Sequence, residues 1–425
     1  MEEIKKRKVS RIPYFLSAII TVGMAGFMVS WSYFRDDLGA LFPSWSEAQL
    51  SLPFSLHNIT VLLSTIIIGP IMKKVSARVV FACGGLVLLI GFGLFPILPL
   101  DNPGLALVLL IVLFGFIAAF SPPIGSIATL DTFQPWFPDH VGLVSGLWLA
   151  IKGVAPILIG VYLGFLIPRL GVLKAVQVLG ITLCALIFLA LIYAKKPGPD
   201  IDLPAASIAP SSDSYAELTV KQMLLTSAFF HVYFFNVLGR CAGLIISDLG
   251  GTIANDMGIP TLAGLLFAPA TALSCILGGY FADRFTLSNL VFHYCIVLFG
   301  SGIALALGGS MDNVPLVLLG IFASGYAYGG TTIVAATTAR YAFGNKHYAQ
   351  NLSVILTSVG FTAPAIMLSG NMLTNSGGSY EPIYIFILIM GAVSIIDALI
   401  MIKTKSFANI SKVLERTKKS KEETK

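Results

Sequence analysis

Charged residues are scarce in this chain. Only 11% of its 425 residues are charged and 56% are hydrophobic, whereas an ordinary soluble domain has about 25% charged residues. No water-soluble fold of this length could enclose so much apolar surface. The composition therefore excludes a soluble protein and predicts a polytopic membrane protein.

Cysteine is also scarce, and the motifs of several enzyme classes are missing. The five cysteines lie inside predicted spans, with no CxxC pair and no histidine at ligand spacing, so we expect packing roles and no metal. There is no GxxxxGK[ST] loop, which excludes ATP as the driving force. Without HExxH, clustered His or Asp ligands, or a nucleophile–base pair, we expect neither an enzyme nor a cofactor.

Long apolar runs dominate what is present. They are continuous, as in VLLSTIIIGPIM, and therefore predict helices of roughly 20 residues and not the alternating strands of a barrel. The basic start MEEIKKRKVSRI resembles a signal peptide, but no small-residue cleavage site follows, so we expect a retained first span. About twelve spans are predicted, at approximately 13–34, 48–72, 79–99, 104–130, 142–167, 174–194, 222–248, 261–281, 288–308, 314–336, 350–373 and 381–402.

Lysine and arginine are distributed unevenly between the loops. With both termini inside, the outer loops hold only Arg35, Arg169 and Lys174, while the inner segments hold nearly all the other basic residues. The positive-inside rule therefore predicts cytoplasmic termini, and it explains the net charge of +6 better than nucleic-acid binding does. Without a transit-type N-terminus, we expect a bacterial or archaeal cytoplasmic membrane, with a plasma membrane as the alternative.

The two halves of the chain resemble each other. FPDH at 137–140 and GNKH at 344–347 precede spans five and eleven, and GVAP at 153–156 echoes FTAP at 361–364, at a nearly constant offset of about 207 residues. This pattern predicts two pseudo-symmetric six-helix bundles, as in the major facilitator architecture. The expected domains are a bundle at 1–194, a flexible linker at 195–221, a second bundle at 222–402 and a basic tail at 403–425.

Several short segments carry a resemblance to a known family. They are Ser30-Trp31-Ser32 in span one, Trp136-Phe137-Pro138-Asp139 after span four, Gly243-Leu244 in span seven and Phe343-Gly344 before span eleven. In their order and spacing, the chain resembles the oxalate/formate antiporters of the major facilitator superfamily, which are related to the monocarboxylate transporters. The resemblance implies an organic-anion transporter of twelve helices.

The chain departs from the family pattern at positions that concern the substrate. The lysine and arginine of the family's oxalate carrier fall near Ser358 and Cys275 here, so both cations are replaced. The loop after span two reads Lys73-Lys74-Val75-Ser76, without the acid that the family often carries there. The resemblance thus favours an organic anion but argues against oxalate itself.

Two basic residues lie deep inside apolar stretches, namely Lys152 in GLWLAIKGVAPILIG and Arg240 in FFNVLGRCAGLIIS. A charge inside the bilayer is costly and usually faces a partner or a watery cavity. Because no acid lies at the same depth, we expect the missing anion to be the substrate. The alternatives are snorkelling or interhelical capping for Lys152, and for Arg240 an ion pair with Asp248 or an outer-loop acid, which would make Arg240 a gate.

Polar and aromatic side chains in the central spans complete the predicted site. Aromatic walls with a few polar groups are typical of small-ligand pockets, although each of these residues could equally serve packing. Proton coupling would need a titratable group, for which His57 and His231 are candidates, with Asp248 as a gating candidate and Asp397 interpreted as structural. The further substrate-binding candidates are His57, Trp148, Asn236, Tyr326, Tyr328 and Tyr33.

The leading hypothesis is a monomeric secondary transporter that moves a monocarboxylate or short dicarboxylate by alternating access. It would work as an antiporter or a proton-coupled symporter, with a proton or counter-anion as the second partner, and uniport stays open. The main alternative is a major facilitator carrier of a neutral solute such as a sugar or drug. A membrane sensor would need a larger soluble domain than the linker and tail provide.

Overall fold

The computed structural model describes residues 7–26, 31, 34–205, 217–258 and 266–410. In this part of the chain the regular elements are helices, apart from one isolated bridge between Arg7 and Ile201. Ten helices are long and apolar enough to cross a membrane, and shorter apolar helices occupy the positions of the first and eighth predicted spans. The predicted all-helical membrane fold is confirmed.

We number the spanning helices α1 to α12 in chain order. Short additional helices cover Arg35–Leu41 before α2 and Val220–Met223 before α7. The first six are α1 Ile12–Gly23, α2 Glu47–Ile71, α3 Ala77–Gly93, α4 Pro103–Trp136, α5 Val141–Leu170 and α6 Val172–Ala190. The second six are α7 Ser227–Asp256, α8 Phe267–Ala282, α9 Leu287–Ser310, α10 Val314–Tyr341, α11 Tyr348–Asn375 and α12 Glu381–Lys403.

Helix packing divides the chain into two compact units. The first comprises Met1–Pro138 with Ile151–Ala205, and the second comprises Asp139–Ala150 with Ala206–Lys425, so the division passes through α5. In the first unit α3 packs on α4 and α6, and α1 packs on α4 and α6. In the second unit α9 packs on α10 and α12, and α7 packs on α10 and α12. The same internal pairing recurs six helices later, as a duplicated bundle requires.

Proline positions explain where helices change pitch. A proline lacks an N–H and its ring meets the carbonyl four residues earlier. In α4 the backbone tightens over Ala118–Phe120, just before Pro122-Pro123, and widens into π-helical turns at Ile111–Ile117 and Ile124–Ala128. In α11 a tight turn at Thr357–Phe361 precedes Pro364. Pro156, by contrast, does not interrupt its helix, since α5 is continuous from Val141 to Leu170.

The ends of the predicted linker are fixed to the units. In the first unit, the Trp136 Nε1–H donates to the carbonyl of Lys195 at 2.7 Å, and Lys196 forms a 2.7 Å ion pair with the buried Asp131. In the second unit, the Leu218 N–H donates to the carbonyl of Phe343 at 3.0 Å. Each end of the predicted linker thus contacts its own unit, the flexibility of 195–221 stays a prediction, and 206–216 lie outside the described residues.

A carboxylate caps the start of α5 within the second unit. The oxygens of Asp283, which follows α8, accept from the N–H groups of Gly142 at 2.7 Å and Leu143 at 2.9 Å. The Tyr341 hydroxyl also donates to Asp283, at 2.6 Å. The first turn of a helix has unsatisfied N–H groups and a partial positive charge, so an anion there is stabilising.

Candidate functional site

The richest group of buried polar side chains lies on one face of α7. Tyr233, Asn236 and Arg240 follow one another at spacings of three and four residues, which places them on one helix face. Asn236 is fully buried and Arg240 is only 7% exposed. A spanning helix therefore presents an amide and a guanidinium to the interior of its own unit.

Arg240 is a buried cation with an unsatisfied donor. Its Nε–H has no hydrogen-bond partner, and among the described residues no carboxylate forms an ion pair with it. Buried charges in proteins are normally paired and hydrogen-bonded, because an isolated charge in an apolar environment is costly. The alternative of an ion pair with Asp248 is not tested, since the Asp248 side chain lies outside the described residues.

Asn236 leaves an acceptor unsatisfied one turn from Arg240. Its Nδ2 donates to the Val232 carbonyl at 3.0 Å, and because a carbonyl only accepts, this contact fixes the orientation of the amide. The opposite atom, Oδ1, is buried and has no hydrogen-bond partner among the described residues. The face thus carries a free acceptor beside the free donor of Arg240.

The tight turn of α11 packs along this part of α7. The Tyr233 hydroxyl and the Thr357 hydroxyl are 3.2 Å apart, and the Cys241 thiol lies 3.4 Å from the carbonyl of Phe361. Ser358, between these two contacts, is fully buried and its hydroxyl has no partner. No local sequence pattern indicates Ser358 beyond its place in the resemblance, because its contact with α7 involves a helix more than a hundred residues away.

α10 packs against another side of α7, where Tyr328 lies next to Gly243. A Cβ on Gly243 would lie 2.6 Å from the Tyr328 Cβ, so this glycine permits a close helix crossing. Tyr328 also interacts electrostatically with Arg240, as does Tyr233. We define the Arg240 cluster as Arg240, Asn236, Ser358, Tyr233 and Tyr328.

Tyr326 points away from this cluster. Its hydroxyl is 3.3 Å from Nε2 of His293 on α9, and its ring packs 5.6 Å from that of Tyr294. Two residues along a helix turn the side chain by about 200°, so Tyr326 and Tyr328 serve different faces of α10. Trp148 is fully buried in the part of α5 that belongs to the second unit.

Three further candidates belong to the first unit. Lys152 is half-buried on α5, and its carbonyl lies near Gly26, which follows α1. His57 is fully buried on α2, where its Nδ1 contacts the Phe114 carbonyl at 2.9 Å and its ring stacks on Phe114 at 4.7 Å. Tyr33 lies outside the described residues. The predicted site built on both Lys152 and Arg240 stays a prediction.

His231, the coupling candidate, has an acidic partner that the sequence analysis missed. Its Nδ1 lies 2.8 Å from Oδ1 of Asp397 on α12, and the two side chains are 13% and 22% exposed. The residues are 166 positions apart, so no local pattern could have paired them. Among the described residues there is no group of three or more His, Cys, Asp or Glu arranged to hold a metal ion.

Comparisons with known proteins agree with this architecture. A sequence profile described as Major Facilitator Superfamily matches residues 14–311. An uncharacterized MFS-type transporter, YhjX of Escherichia coli strain K12, is 23% identical over 361 residues, covering 81% of this chain and 84% of that protein.

Solved structures extend the likeness to nearly the whole chain. The proton:xylose symporter XylE superposes with a TM-score of 0.73 at 13% identity, over 92% of this chain and 95% of its own. The E. coli fucose:proton symporter FucP superposes with a TM-score of 0.66 at 15% identity, over 92% and 98%. At such identities the likeness concerns the fold, and these relatives are transporters rather than enzymes.

Proposed function

The chain belongs to the Major Facilitator Superfamily, and from this premise we propose that it is a secondary transporter of a small organic anion, a monocarboxylate or short dicarboxylate. The single observation that carries the proposal is Arg240, a buried guanidinium with no acid paired to it among the described residues. A carboxylate is the group that a guanidinium binds best, through two parallel hydrogen bonds.

The neighbours of Arg240 suit a small polar ligand. Asn236 and Ser358 each bring a buried polar atom without a partner, and buried polar atoms are rarely left so. Tyr233 and Tyr328 add aromatic surface with hydroxyl groups. Lys152 enters the proposal from the sequence as a second cation. Trp148, Asn236, Tyr326, Tyr328 and Tyr33 enter it as substrate contacts, while we assign His57 to packing against Phe114.

Transport would follow alternating access, either as exchange of two anions or with a proton as co-substrate. An exchanger needs no proton site, because two anions can alternate on the same cation. The distribution of lysine and arginine supports cytoplasmic termini in a cell membrane. We propose that the transporter works as a monomer.

A neutral-solute carrier is the second candidate. XylE and FucP are described as symporters of xylose and fucose, and the amide and hydroxyl groups of the Arg240 cluster could bind sugar hydroxyls. A neutral sugar, however, would leave the charge of Arg240 without a counterion in a buried site, which is costly. For this reason we favour the anion.

Uptake into proteoliposomes tests the proposal. The probes are labelled formate, acetate, lactate, pyruvate, oxalate and succinate, with xylose and fucose as neutral probes, each with and without internal counter-substrate and a pH gradient. Arg240→Ala and Lys152→Ala are compared with wild type. Arg169→Ala is the matched control, because Arg169 is exposed near the end of α5 and stacks on Phe165.

We expect carboxylate uptake by wild type and by Arg169→Ala. We expect its loss in Arg240→Ala, since removing one member of a buried charged contact costs about 2–5 kcal/mol. Sugar uptake without carboxylate uptake would replace the anion proposal by the neutral-solute one. Carboxylate uptake that survives in Arg240→Ala would overturn the site.

A further inference from the structure

The contact between His231 and Asp397 is a second polar site in the second unit, separate from the Arg240 cluster. His231 lies four residues after the start of α7 and Asp397 six residues before the end of α12. At about 1.5 Å per residue, the pair is roughly 6–9 Å from these helix ends. We call this end of the bundle the linker side, because the linker leads into α7 there.

In the described part of the chain, the titratable groups of the neighbouring helices have contacts of their own or are exposed. On α9, the Cys295 thiol hydrogen-bonds Ser394 and interacts with Asp397. On α10, Arg340 is directed to the Asn345 side chain at 2.7 Å and to the ring of Tyr348 on α11. Tyr233 on α7 is engaged with Thr357 on α11, and Lys403 at the end of α12 is exposed.

Protonation changes the net charge of this contact. With a neutral imidazole, the pair holds one negative charge on Asp397, and with an imidazolium it is a neutral ion pair. A largely buried lone carboxylate is costly, whereas a charge-assisted hydrogen bond is roughly twice as strong as a neutral one. A proton taken from water on the linker side therefore strengthens the link between α7 and α12.

α7 connects this contact with the Arg240 cluster. The helix is continuous from Ser227 to Asp256, and Arg240 is nine residues beyond His231, about 14 Å along the axis and on the opposite face. We propose that His231 and Asp397 form a proton-binding latch between α7 and α12 through which pH on the linker side controls transport. The inference rests on the proposed function, because it acts on the helix that carries Arg240.

Exchange transport measured as a function of pH is the first test. Carboxylate exchange is followed with the same pH on both sides of the proteoliposome membrane, from pH 5.5 to 8. Wild type should show an inflection in this range, where an imidazole ordinarily titrates. His231→Gln and Asp397→Asn should each lose the inflection, because each removes one partner of the contact.

His293→Gln is the matched control, since His293 is another half-buried histidine of the second unit that contacts Tyr326 instead of an acid. It should keep the wild-type inflection. A wild-type profile that persists in His231→Gln, or an inflection that only His293→Gln removes, would overturn the latch while leaving anion transport intact.

The thermal unfolding midpoint gives a readout that needs no substrate. The pair stabilises the fold most when His231 is protonated, so the midpoint of wild type should exceed that of His231→Gln by several degrees at pH 5.5. This difference should shrink as the pH rises to 8. A difference that does not depend on pH would overturn the latch even if no carboxylate were transported. The two proposals therefore fail independently.

Discussion

In the first unit, the imidazole of His57 is buried against the carbonyl and ring of Phe114, whereas in the second unit the guanidinium of Arg240 is buried without a carboxylate among the described residues. Around Phe114 the first unit is aromatic, with Trp31, Phe34 and Phe92 in ring contact. Around Arg240 the second unit keeps unsatisfied polar atoms on Asn236 and Ser358. The two bundles share a packing pattern but differ in what they bury.

The difference separates a role in stability from a role in recognition. Aromatic packing such as that around Phe114 contributes to folding without a ligand. Buried hydrogen-bond donors and acceptors without partners destabilise the folded state, and a ligand that bonds to them restores this stability. On the proposed function, Arg240 in the second unit is therefore the residue whose substitution should affect anion recognition most.

The largest expected effect concerns helix packing in the second unit. A Cβ on Gly146 in α5 would overlap the carbonyl of Cys275 in α8, whereas a Cβ on Gly164, further along α5, meets nothing within 4 Å. Overpacking costs about 1–3 kcal/mol or more, so Gly146→Val should lose most of its folded yield in size-exclusion chromatography. Gly164→Val is the matched control and should elute like wild type. Equal yields would show that α5 and α8 do not cross closely.

The next effect concerns the cap at the start of α5. Asp283→Asn removes the charge and one acceptor from the contact with Gly142, Leu143 and Tyr341. A helix cap is worth about 0.5–2 kcal/mol, so the thermal midpoint should fall by a few degrees. Asp312→Asn, at an exposed turn after α9, is a suitable control. An unchanged thermal midpoint in Asp283→Asn would show that the carboxylate does not stabilise the start of α5.

A smaller effect is expected from His57 in the first unit. His57→Leu removes the contact with Phe114 but keeps an apolar side chain, and the net value of one hydrogen bond is about 1 kcal/mol. We expect a slightly lower thermal midpoint and carboxylate uptake within about threefold of wild type. If His57→Leu abolished uptake as Arg240→Ala does, the contrast between the units would be broken and His57 would be a substrate contact.

The smallest effect lies outside the membrane, where Arg7 meets Asp200. The hydrogen bond from the Arg7 guanidinium, with a smaller contribution from the backbone, lowers the pKa of the exposed Asp200 carboxyl. Because the pKa of Asp200 is lower in the folded protein than in the unfolded chain, the contact stabilises the folded state at pH values above the ordinary aspartate pKa. This stabilisation is lost as the pH falls through the pKa of Asp200 in the folded protein. Proteolysis near Arg7 should therefore increase below about pH 4, and Asp200→Asn should show fast cleavage at every pH.

Much of the fold could be predicted because it depends on local features. Apolar runs of about 20 residues fixed the number and order of the helices, and the repeated FPDH and GNKH segments indicated the duplication. Arg240 stood out for the same reason, as a cation in an apolar run. A proline in an apolar run does not by itself predict a break, because α5 continues through Pro156 and neighbouring helices can satisfy the freed backbone groups.

The rest of the candidate site could not be predicted because it depends on contacts between distant helices. Tyr326 and Tyr328 are equivalent in sequence pattern, yet only Tyr328 faces Arg240, since the rotation of α10 about its axis is set by packing. The partner of His231 lies on α12, and Asp397 therefore looked like an isolated acid at a helix end. Ser358 was noted in the sequence only because it lies near the position of a lysine in the family's oxalate carrier, and no substrate contact was predicted for it.

The thermal unfolding midpoint of Arg240→Met, with and without ligand, tests the central claim most directly. Arg240 is a buried charge without an acid partner among the described residues, so replacing it by an apolar side chain of similar length should leave the ligand-free protein at least as stable as wild type. Adding lactate, succinate or formate in turn should raise the midpoint of wild type and leave that of Arg240→Met unchanged. A destabilised Arg240→Met that keeps the full carboxylate-induced rise would contradict the account, because Arg240 would then serve folding and not the anion.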